Sequence, residues 1–441
     1  MSKNRGTRMK KVKYLIIGNS AGGIAAAEAI RQVDKRGTVT IVSDEPYAAY
    51  SRPLISEHLA YGYPLERMLF RPAGFYEANG IQTILGSKAV RLDADAHSVE
   101  LEDGTGISWR KLLLATGGRP IMPPIDGIAS RGVFTFTTLS DARAIGRFLN
   151  GIERVVVIGG GLIGVSAAAA LVKRGVKVTI VEMKERVLNI ILDEEASALE
   201  AEAMTLAGVD IITNHTVAEI SSSPGKSGSV TGVTLDDGQV IACGLVIIAI
   251  GVSPRTELTS GSGIKVNRGI VVDRRMATSH ADVYACGDVA EAYDFVHGEA
   301  RLTPIWPNAY LGGRVAGFNM AGVATEYPGG TAMNALKYFG LDVVSAGIVT
   351  PPDDSFREIS RKQDGCYRKV VVKDGCCVGM VFCGDIEQSG VVFALMRDRI
   401  DVSDFSERLV ADDFGLVYLS EERRRPLLEV PSAREKPNET A

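Results

Sequence analysis

One hydrophobic pattern occurs twice along the chain: a short apolar run, a glycine-rich turn and then an alanine-rich segment. The first copy begins at Tyr14 and ends at Gly23, and the second begins at Val155 and ends at Gly164. Short apolar runs bounded by glycine predict buried strands, and the alanine-rich segments predict the helices that follow them. A glycine turn between a strand and a helix directs backbone N–H groups at a pyrophosphate. The pattern therefore predicts two dinucleotide-binding units.

The two glycine turns differ in completeness. In such a turn the first glycine bends the chain, the second lets the backbone approach a phosphate, and the third packs the helix on the strand. The second copy has all three glycines, whereas the first copy has a serine at the second position, where its hydroxyl could reach a phosphate. The residues expected at the two cofactors are Gly18, Ser20, Ala21, Gly22 and Gly23 in the first turn, and Gly159, Gly161, Leu162, Ile163 and Gly164 in the second.

A second strand follows each glycine turn and ends at an acid, about 20 residues further on. Glu182 is the acid after the second turn, and we expect it to bind both ribose hydroxyls of a dinucleotide. Its charge would repel a 2′-phosphate and so favours NAD over NADP, although Lys184 and Arg186 could soften this preference. After the first turn, either Asp44 or Glu45 could bind the adenosine ribose, and we prefer Asp44.

Each of the two units continues through a hairpin to another buried strand. Asp103-Gly104 and Asp237-Gly238 mark the hairpin turns, and the buried strands end at Gly117 and Gly251. This alternation predicts an α/β fold with two Rossmann-like, doubly wound dinucleotide-binding domains and a C-terminal α+β interface domain. The expected limits are residues 1–120 with 245–325 for the first domain, 121–244 for the second, 326–420 for the third and 421–441 for a tail.

Composition places the chain among globular proteins. Of 441 residues, 46% are hydrophobic and 23% are charged, and the formal net charge is −4. This balance gives no electrostatic reason to bind nucleic acid. No apolar run reaches the roughly 18–20 residues of a membrane span, and residues 1–13 lack the apolar core of a secretory signal. We therefore expect a cytoplasmic protein with no membrane span and no nucleic-acid partner.

The six cysteines suggest neither a disulfide framework nor a metal site. Cys366, Cys376, Cys377 and Cys383 are spaced C-x9-C-C-x5-C, which matches no iron–sulfur or zinc pattern. Their strand-like flanks favour ordinary buried thiols. We therefore expect no bound metal.

The order of four motifs resembles a known family. Two further motifs, Ala115-Thr116-Gly117 and Cys286-Gly287-Asp288, accompany the two glycine turns. This set of four is similar to the pyridine nucleotide–disulfide oxidoreductase superfamily over about residues 12–420. The resemblance implies FAD on the first turn, NAD(P)H on the second, and a C-terminal domain that commonly forms a homodimer.

The same resemblance implies roles for single residues. Asp288 would hydrogen-bond the ribityl chain of FAD, and Ala115, Thr116 and Gly117 would approach FAD where the chain crosses between domains. The backbone after Trp306 would lie near the isoalloxazine ring, although Trp306 could equally be a core residue. Gly251 occupies the place in the second domain that corresponds to Gly117 in the first.

One departure from the superfamily decides the expected chemistry. In the region that corresponds to residues 46–58, disulfide reductases carry a C-x4-C pair and a related branch carries a single cysteine. In this chain, residues 46–58 contain no cysteine. The stretch Tyr50-Ser51-Arg52-Pro53-Leu54 is instead similar to the rubredoxin and ferredoxin reductase branch and to the flavin portion of assimilatory nitrite reductases. This branch implies that Arg52 and Pro53 lie close to FAD; the alternative for Arg52 is a surface charge before a proline turn.

The expected function follows from the absent thiol. We expect an FAD-dependent NAD(P)H oxidoreductase of the electron-transfer type, which moves a hydride between NAD(H) and FAD and exchanges single electrons with an iron–sulfur or rubredoxin-type protein. It could act as a homodimer or as the flavin subunit of a hetero-oligomeric complex such as an aldehyde oxidoreductase. No side chain is needed as a catalytic acid or nucleophile. The alternatives are a free-standing NADH oxidase that reduces O₂ and a flavin-based redox sensor.

Overall fold

The computed structural model describes residues 9–225, 228–363, 365–418, 421 and 424–425. Contacts divide the described residues into two compact units, one from Met1–Val187 with Met204–Ala332 and the other from Leu188–Ala203 with Met333–Ala441. The expected tail lies almost wholly outside the described residues. The limits of the three expected domains remain predictions.

Helices and strands alternate along the first part of the chain, and strands predominate towards its end. The α-helices are α1 (Ala21–Val33), α2 (Ile55–Tyr61), α3 (Leu65–Met68), α4 (Phe75–Ala78), α5 (Leu139–Phe148), α6 (Leu162–Lys173), α7 (Glu194–Leu206), α8 (Trp306–Met320) and α9 (Ser389–Arg397). Short 3₁₀ helices lie at Arg52–Leu54, Glu257–Thr259, Gly287–Val289, Ser406–Val410 and Leu416–Tyr418. The strands are β1 (Lys10–Lys11), β2 (Tyr14–Ile17), β3 (Val39–Ser43), β4 (Ile81–Leu85), β5 (Ala89–Asp93), β6 (Ser98–Leu101), β7 (Gly106–Ser108), β8 (Lys111–Leu114), β9 (Gly118–Pro120), β10 (Val133–Thr135), β11 (Arg154–Ile158), β12 (Lys177–Glu182), β13 (Val209–Thr213), β14 (Val217–Ser222), β15 (Val230–Leu235), β16 (Val240–Ala242), β17 (Leu245–Ile248), β18 (Val252–Pro254), β19 (Ile270–Val271), β20 (Val283–Ala285), β21 (Ala290–Asp294), β22 (Glu299–Leu302), β23 (Met333–Tyr338), β24 (Leu341–Gly347), β25 (Arg357–Gln363), β26 (Cys366–Lys373) and β27 (Cys376–Cys383).

A five-stranded parallel sheet, in the order β20-β8-β2-β3-β4, carries the first glycine turn. All four residues of β2 are buried, as expected for a strand whose sheet is covered on both faces. Ile17 is in register with Leu114 on one side and with Val42 on the other. Ala285 of β20 pairs with Leu114, so the chain returns to this sheet late in the sequence, as predicted.

A second five-stranded parallel sheet, in the order β10-β17-β11-β12-β13, carries the second glycine turn. Ile158 at the end of β11 is in register with Ile248 and with Val181, which repeats the plan of the first sheet. The predicted hairpin turns join β6 to β7 and β15 to β16 in antiparallel pairs. The predicted α/β class with two Rossmann-like sheets is confirmed.

Glycine allows α1 and α8 to pack backbone to backbone. A Cβ atom on Gly313 would lie 2.1 Å from the carbonyl oxygen of Gly22, and one on Gly317 would lie 2.4 Å from that of Ala26. Neither position can hold a larger residue unless the helices separate. The close contact fixes the start of α8 beside the helix that follows the first glycine turn.

The second compact unit contains an antiparallel sheet, in the order β23-β24-β27-β26-β25. Residues 188–203, which precede and begin α7, pack with this sheet rather than with the sheet they follow in the sequence. Asp193 joins them to β26: it accepts a hydrogen bond from the Tyr367 hydroxyl at 2.6 Å and pairs with Lys369 at 3.1 Å. The sequence did not predict this exchange.

A fully buried carboxyl group lies on α7 in the same unit. Glu200 has no exposed surface, and neither of its carboxylate oxygens has a hydrogen-bond partner among the described residues. Burial raises the pKa of the Glu200 carboxyl to about 7. The folded chain therefore favours the protonated form of Glu200.

This burial predicts how stability depends on pH. Folded Glu200 keeps its proton up to about pH 7, whereas the unfolded side chain loses it near its ordinary pKa of 4.5. Between these values the folded state binds more protons, so the free energy of unfolding falls as the pH rises. We expect Glu200→Gln to raise that free energy by roughly 1–3 kcal/mol at pH 8 and to change it little at pH 4. Urea unfolding at both pH values measures the difference.

The matched control is Glu202→Gln, because Glu202 is exposed on the same helix. It should leave the pH dependence of stability as it is in the natural chain. A Glu200→Gln variant whose stability follows pH in parallel with the natural chain would contradict the prediction.

Candidate functional site

The first glycine turn has no room for side chains where it leaves β2 for α1. Gly18 has a φ of +127°, and a Cβ atom there would lie 2.1 Å from the carbonyl oxygen of Ala115. A Cβ atom on Gly23 would lie 2.0 Å from the carbonyl oxygen of Gly18. Ser20 is the N-cap residue of α1, and its side chain makes no capping hydrogen bond. The positive end of the α1 dipole is therefore open to an anionic ligand.

The second glycine turn has the same geometry. Gly159 has a φ of +105°, and a Cβ atom there would lie 2.5 Å from the carbonyl oxygen of Ala249. A Cβ atom on Gly164 would lie 1.9 Å from the carbonyl oxygen of Gly159. Gly161, the N-cap residue of α6, has a φ of −80° and no atom within 4 Å of the place of its Cβ. Packing therefore requires two of these glycines, while the third faces open space where a phosphate can approach.

The acid after the second turn closes back on that turn. Glu182, at the end of β12, is 9% exposed. One of its carboxylate oxygens accepts a hydrogen bond from the N–H of Gly160 at 2.6 Å, and the other accepts one from the N–H of Lys184 at 2.8 Å. These bonds fix the carboxylate beside the glycine turn, which is where a dinucleotide places its ribose.

The two acids after β3 have different partners. Glu45 forms an ion pair with Arg52 and accepts a hydrogen bond from the Tyr50 hydroxyl at 2.6 Å. Asp44 lines a cavity of about 190 Å³ and accepts a hydrogen bond from Arg255 at 2.7 Å. Of the two acids left open by the sequence, Asp44 is thus the one at the cavity.

This cavity lies at the carboxyl ends of β2 and β3. Nucleotides bind at this edge of parallel sheets, because strand ends, glycine turns and helix N-termini meet there. The opposite wall comes from the two segments where the chain crosses between the sheets. Among the lining residues are Gly18, Val42 and Asp44 on the first side and Thr116, Arg255 and Leu258 on the second.

Arg52 and Pro53 open the 3₁₀ helix Arg52–Leu54. The Arg52 guanidinium donates a hydrogen bond to the carbonyl oxygen of Thr137 at 3.0 Å, in addition to its ion pair with Glu45. Burial raises the pKa of the Asp288 carboxyl, and the positive charge of Arg52 opposes this rise. The structure therefore brings Arg52 and Asp288 within electrostatic range of each other, although they are 236 positions apart in the sequence.

A tyrosine, not a thiol, occupies the region where cysteine-bearing relatives carry their redox sulfur. The Tyr50 hydroxyl accepts a hydrogen bond from the N–H of Leu139 at 3.0 Å while it donates to Glu45. Burial raises the pKa of this phenol well above its usual range. Together with Arg52, it fixes the loop to the start of α5.

The crossover segments hold the other predicted residues. Thr116 donates its hydroxyl hydrogen to the carbonyl oxygen of Arg255 at 2.8 Å, and the N–H of Arg255 donates to the carbonyl oxygen of Gly117 at 2.9 Å. Gly117 and Gly251 have φ values of +70° and +117°, which favour glycine. Two antiparallel strands, β9 and β18, continue from these glycines.

Trp306 is the first residue of α8 and is half-buried. Its ring packs edge-on against Phe70, with the ring centroids 4.9 Å apart. A core role and a cofactor role both remain compatible with this position. At the start of α1, Ala21 and Gly22 are buried. At the start of α6, Leu162 and Ile163 are half-buried.

Cys286 packs against the first glycine turn but is not a reactive thiol. Cys286 lies behind that turn, since its sulfur would be 2.7 Å from a Cβ atom on Gly22. It is fully buried, and burial raises the pKa of its thiol to about 12. It therefore stays a neutral thiol at physiological pH.

Side chains that could ligate a metal come together between His215 and Asp237. Among the described residues, one group, His215 with Asp236 and Asp237, places its ligand atoms close enough to hold a metal ion, and the two aspartates are exposed. No helix in the described part of the chain has the length and hydrophobicity needed to cross a bilayer.

Sequence reasoning missed the contacts of Tyr50 and Arg255. Arg255 follows Gly251 by four residues, so its place in a crossover segment was visible in the sequence. Its pairing with Asp44 was not, because the two residues are 211 positions apart in the sequence. Tyr50 begins the stretch that resembles the rubredoxin and ferredoxin reductase branch, but the sequence indicates no contact for its hydroxyl.

Two parallel sheets, each with a glycine turn and an acid held at its edge, define a protein that binds two dinucleotides. Residues 12–313 match the pyridine nucleotide-disulphide oxidoreductase family, and the chain belongs to it. Residues 333–400 match the C-terminal domain of rubredoxin NAD⁺ reductase. The family binds FAD and NAD(H), which makes the chain an FAD-dependent NAD(P)H oxidoreductase.

Individual relatives narrow the comparison. The chain is 33% identical over 415 residues to the epsilon subunit of NADH-dependent phenylglyoxylate dehydrogenase from Aromatoleum evansii, covering 92% of this chain and 97% of the relative. It is 29% identical over 402 residues to nitrite reductase [NAD(P)H] from Bacillus subtilis, covering 90% of this chain but only 49% of that protein. Among solved structures, the ferredoxin reductase of the CYP199A2 system from Rhodopseudomonas palustris has a TM-score of 0.82 at 26% identity, covering 90% and 98% of the two chains.

The glycine geometry gives a testable distinction within the second turn. Gly164→Ala puts a methyl group against the Gly159 carbonyl, so we expect it to lower the free energy of unfolding by about 1–3 kcal/mol. Gly161→Ala has free space and an ordinary φ, so we expect a change within about 0.5 kcal/mol. Because Gly161 faces the open side, Gly161→Ala should nevertheless weaken NADH binding. Chemical unfolding and NADH titration measure the two effects.

The two variants serve as controls for each other. If Gly161→Ala destabilised the fold as much as Gly164→Ala, the division between packing and ligand-facing glycines would be wrong.

Proposed function

We propose that this chain is the NADH-dependent flavin subunit of a larger redox complex and exchanges single electrons with an iron–sulfur or rubredoxin-type protein. The observation that carries the proposal is the pair of intact dinucleotide turns combined with a loop, residues 46–58, that contains no cysteine. A chain without a thiol relay passes electrons from flavin directly to a partner. The match to a rubredoxin reductase domain and the likeness to a dehydrogenase subunit support this choice of partner.

FAD, in this proposal, lies along the edge of the first sheet. The N-terminus of α1 would hold its pyrophosphate, Asp44 would hold its adenosine in the cavity, and Asp288 would hold its ribityl chain. This arrangement fits the observed turn, because Gly18 and Gly23 allow it to pack against backbone and the N-cap residue Ser20 makes no side-chain hydrogen bond to the N-terminus of α1. The proposed FAD residues are Gly18, Ser20, Ala21, Gly22, Gly23, Asp44, Glu45, Arg52, Pro53, Ala115, Thr116, Gly117, Asp288 and Trp306. Those proposed for NAD are Gly159, Gly161, Leu162, Ile163, Gly164, Glu182 and Gly251.

Bound FAD supplies the redox chemistry, since it accepts an electron pair with a hydride and returns electrons singly. The chain contributes position and charge. Arg52 holds a positive charge at the first turn that no working pH removes. Asp288 would accept a hydrogen bond from the ribityl chain, and α1 would face the pyrophosphate with its positive end. Neither a side-chain nucleophile nor a general acid takes part.

The test of this function uses the full chain loaded with FAD under anaerobic conditions. We expect NADH to bleach the flavin absorbance rapidly and the reduced protein to reduce an added rubredoxin or ferredoxin. In air, oxygen consumption without the iron protein should be much slower than reduction of the iron protein. Rapid oxygen reduction would favour an oxidase, and flavin reduction too slow for turnover would favour a sensor; either result would overturn the proposal.

The preference for NADH rests on Glu182. Its carboxylate, fixed beside the turn, accepts hydrogen bonds from ribose hydroxyls and repels a 2′-phosphate. We expect Glu182→Gln to lower the ratio of kcat/KM for NADH to that for NADPH by about tenfold. Steady-state kinetics with both nucleotides measures this ratio. Glu202→Gln is the control, because Glu202 is an exposed glutamate on α7, and it should leave the ratio unchanged.

Homodimer formation and a cytoplasmic location remain predictions from the sequence. The proposed complex requires neither.

A further inference from the structure

Arg255 joins both walls of the cavity at the first turn. Its guanidinium donates to Asp44, at the end of the first sheet, over 2.7 Å. Its backbone is held on the other side, because its N–H donates to Gly117 at 2.9 Å and its carbonyl oxygen accepts from Thr116 at 2.8 Å. One residue thus ties the acid that follows β3 to the crossover that follows β8.

The cavity beneath this ion pair has the chemistry of a nucleoside site. Apolar walls come from Val42, Ala89 and Leu258, and the polar groups at its rim include Asp44 and Arg255. A carboxylate accepts from ribose hydroxyls, while a planar guanidinium stacks on a flat base as well as pairing with the acid. Both side chains of the pair remain about one-third exposed, at 39% for Asp44 and 34% for Arg255, so a ligand can reach them.

We propose that Arg255 is a specificity-determining residue that retains the adenosine half of FAD and makes the chain select FAD over FMN. This rests on the proposed function, which assigns FAD to the first turn. Arg255 orients the Asp44 carboxylate toward the cavity and neutralises its charge, so that the acid can bind a ribose without repelling the neighbouring pyrophosphate. FMN has no adenosine and gains nothing from this pair.

The experiment compares the binding of FAD and FMN to the full chain stripped of flavin, followed by flavin fluorescence and calorimetry. We expect Arg255→Ala to weaken FAD binding about tenfold or more and to leave FMN binding unchanged. FAD should also dissociate faster from the variant. Unchanged FMN binding shows that the variant is folded at the flavin end of the site.

The matched control is Arg119→Ala. Arg119 lies on β9, opposite Ser253 of β18, and forms an ion pair with Glu257 at 2.5 Å, but it is 56% exposed. Its loss should change neither FAD nor FMN binding. If Arg119→Ala weakened FAD binding as much as Arg255→Ala, ion pairs at the crossover segments would have a general structural role. The specificity role of Arg255 would then be refuted.

A double-mutant cycle tests whether Arg255 acts through Asp44. Because the proposed unit is the pair, Asp44→Asn combined with Arg255→Ala should weaken FAD binding little more than the more damaging single change. Additive losses would contradict the pairing, and so would equal losses for FAD and FMN.

The failure of this inference differs from the failure of the proposed function. A natural chain that binds neither flavin would overturn the proposed function. A natural chain that binds FAD tightly, with an Arg255→Ala variant that binds it equally well, would overturn only the role of Arg255.

Discussion

Each glycine turn packs backbone to backbone against the end of the strand beside it, and the dinucleotide-binding edge of each sheet depends on this contact. A Cβ atom on Gly18 would clash with the carbonyl oxygen of Ala115, and one on Gly159 would clash with that of Ala249. In both sheets the residue touched is the first after the neighbouring strand, so turn, strand end and crossover form one packed unit. Because backbone meets backbone, no side-chain rearrangement can relieve a substitution there. These contacts keep each turn packed against the neighbouring strand end and so leave space in front of α1 and α6.

The buried strands and the glycine turns could be predicted from the sequence, and the reason is physical. A buried parallel strand needs a nearly continuous apolar run, and a turn with positive φ needs glycine, so both leave marks that are local in sequence. The return of β20 to the first sheet was predictable in the same way, from a short apolar run with a polar end. The expected fold class therefore follows from local patterns alone.

Long-range pairing leaves no such mark. Residues 188–203 follow Glu182 as an ordinary loop and helix, and nothing in their pattern tells which sheet they cover. Their link to the C-terminal sheet depends on Asp193 meeting Tyr367 and Lys369, three residues whose types are common everywhere. The choice between Asp44 and Glu45 was hidden for the same reason, because it depends on which arginine each acid meets in space.

The electrostatics at the first turn depend on the proton of Asp288. Arg52 pairs with Glu45 and also acts on Asp288, so a single guanidinium faces two carboxyl groups. With Asp288 protonated the three groups are neutral in sum; with Asp288 ionised they carry one negative charge. A negative charge at this place opposes the gain of electrons by any bound group, and burial favours the proton that removes it. The charge beside the first glycine turn therefore depends on burial and on Arg52 together, which act on the Asp288 pKa in opposite directions.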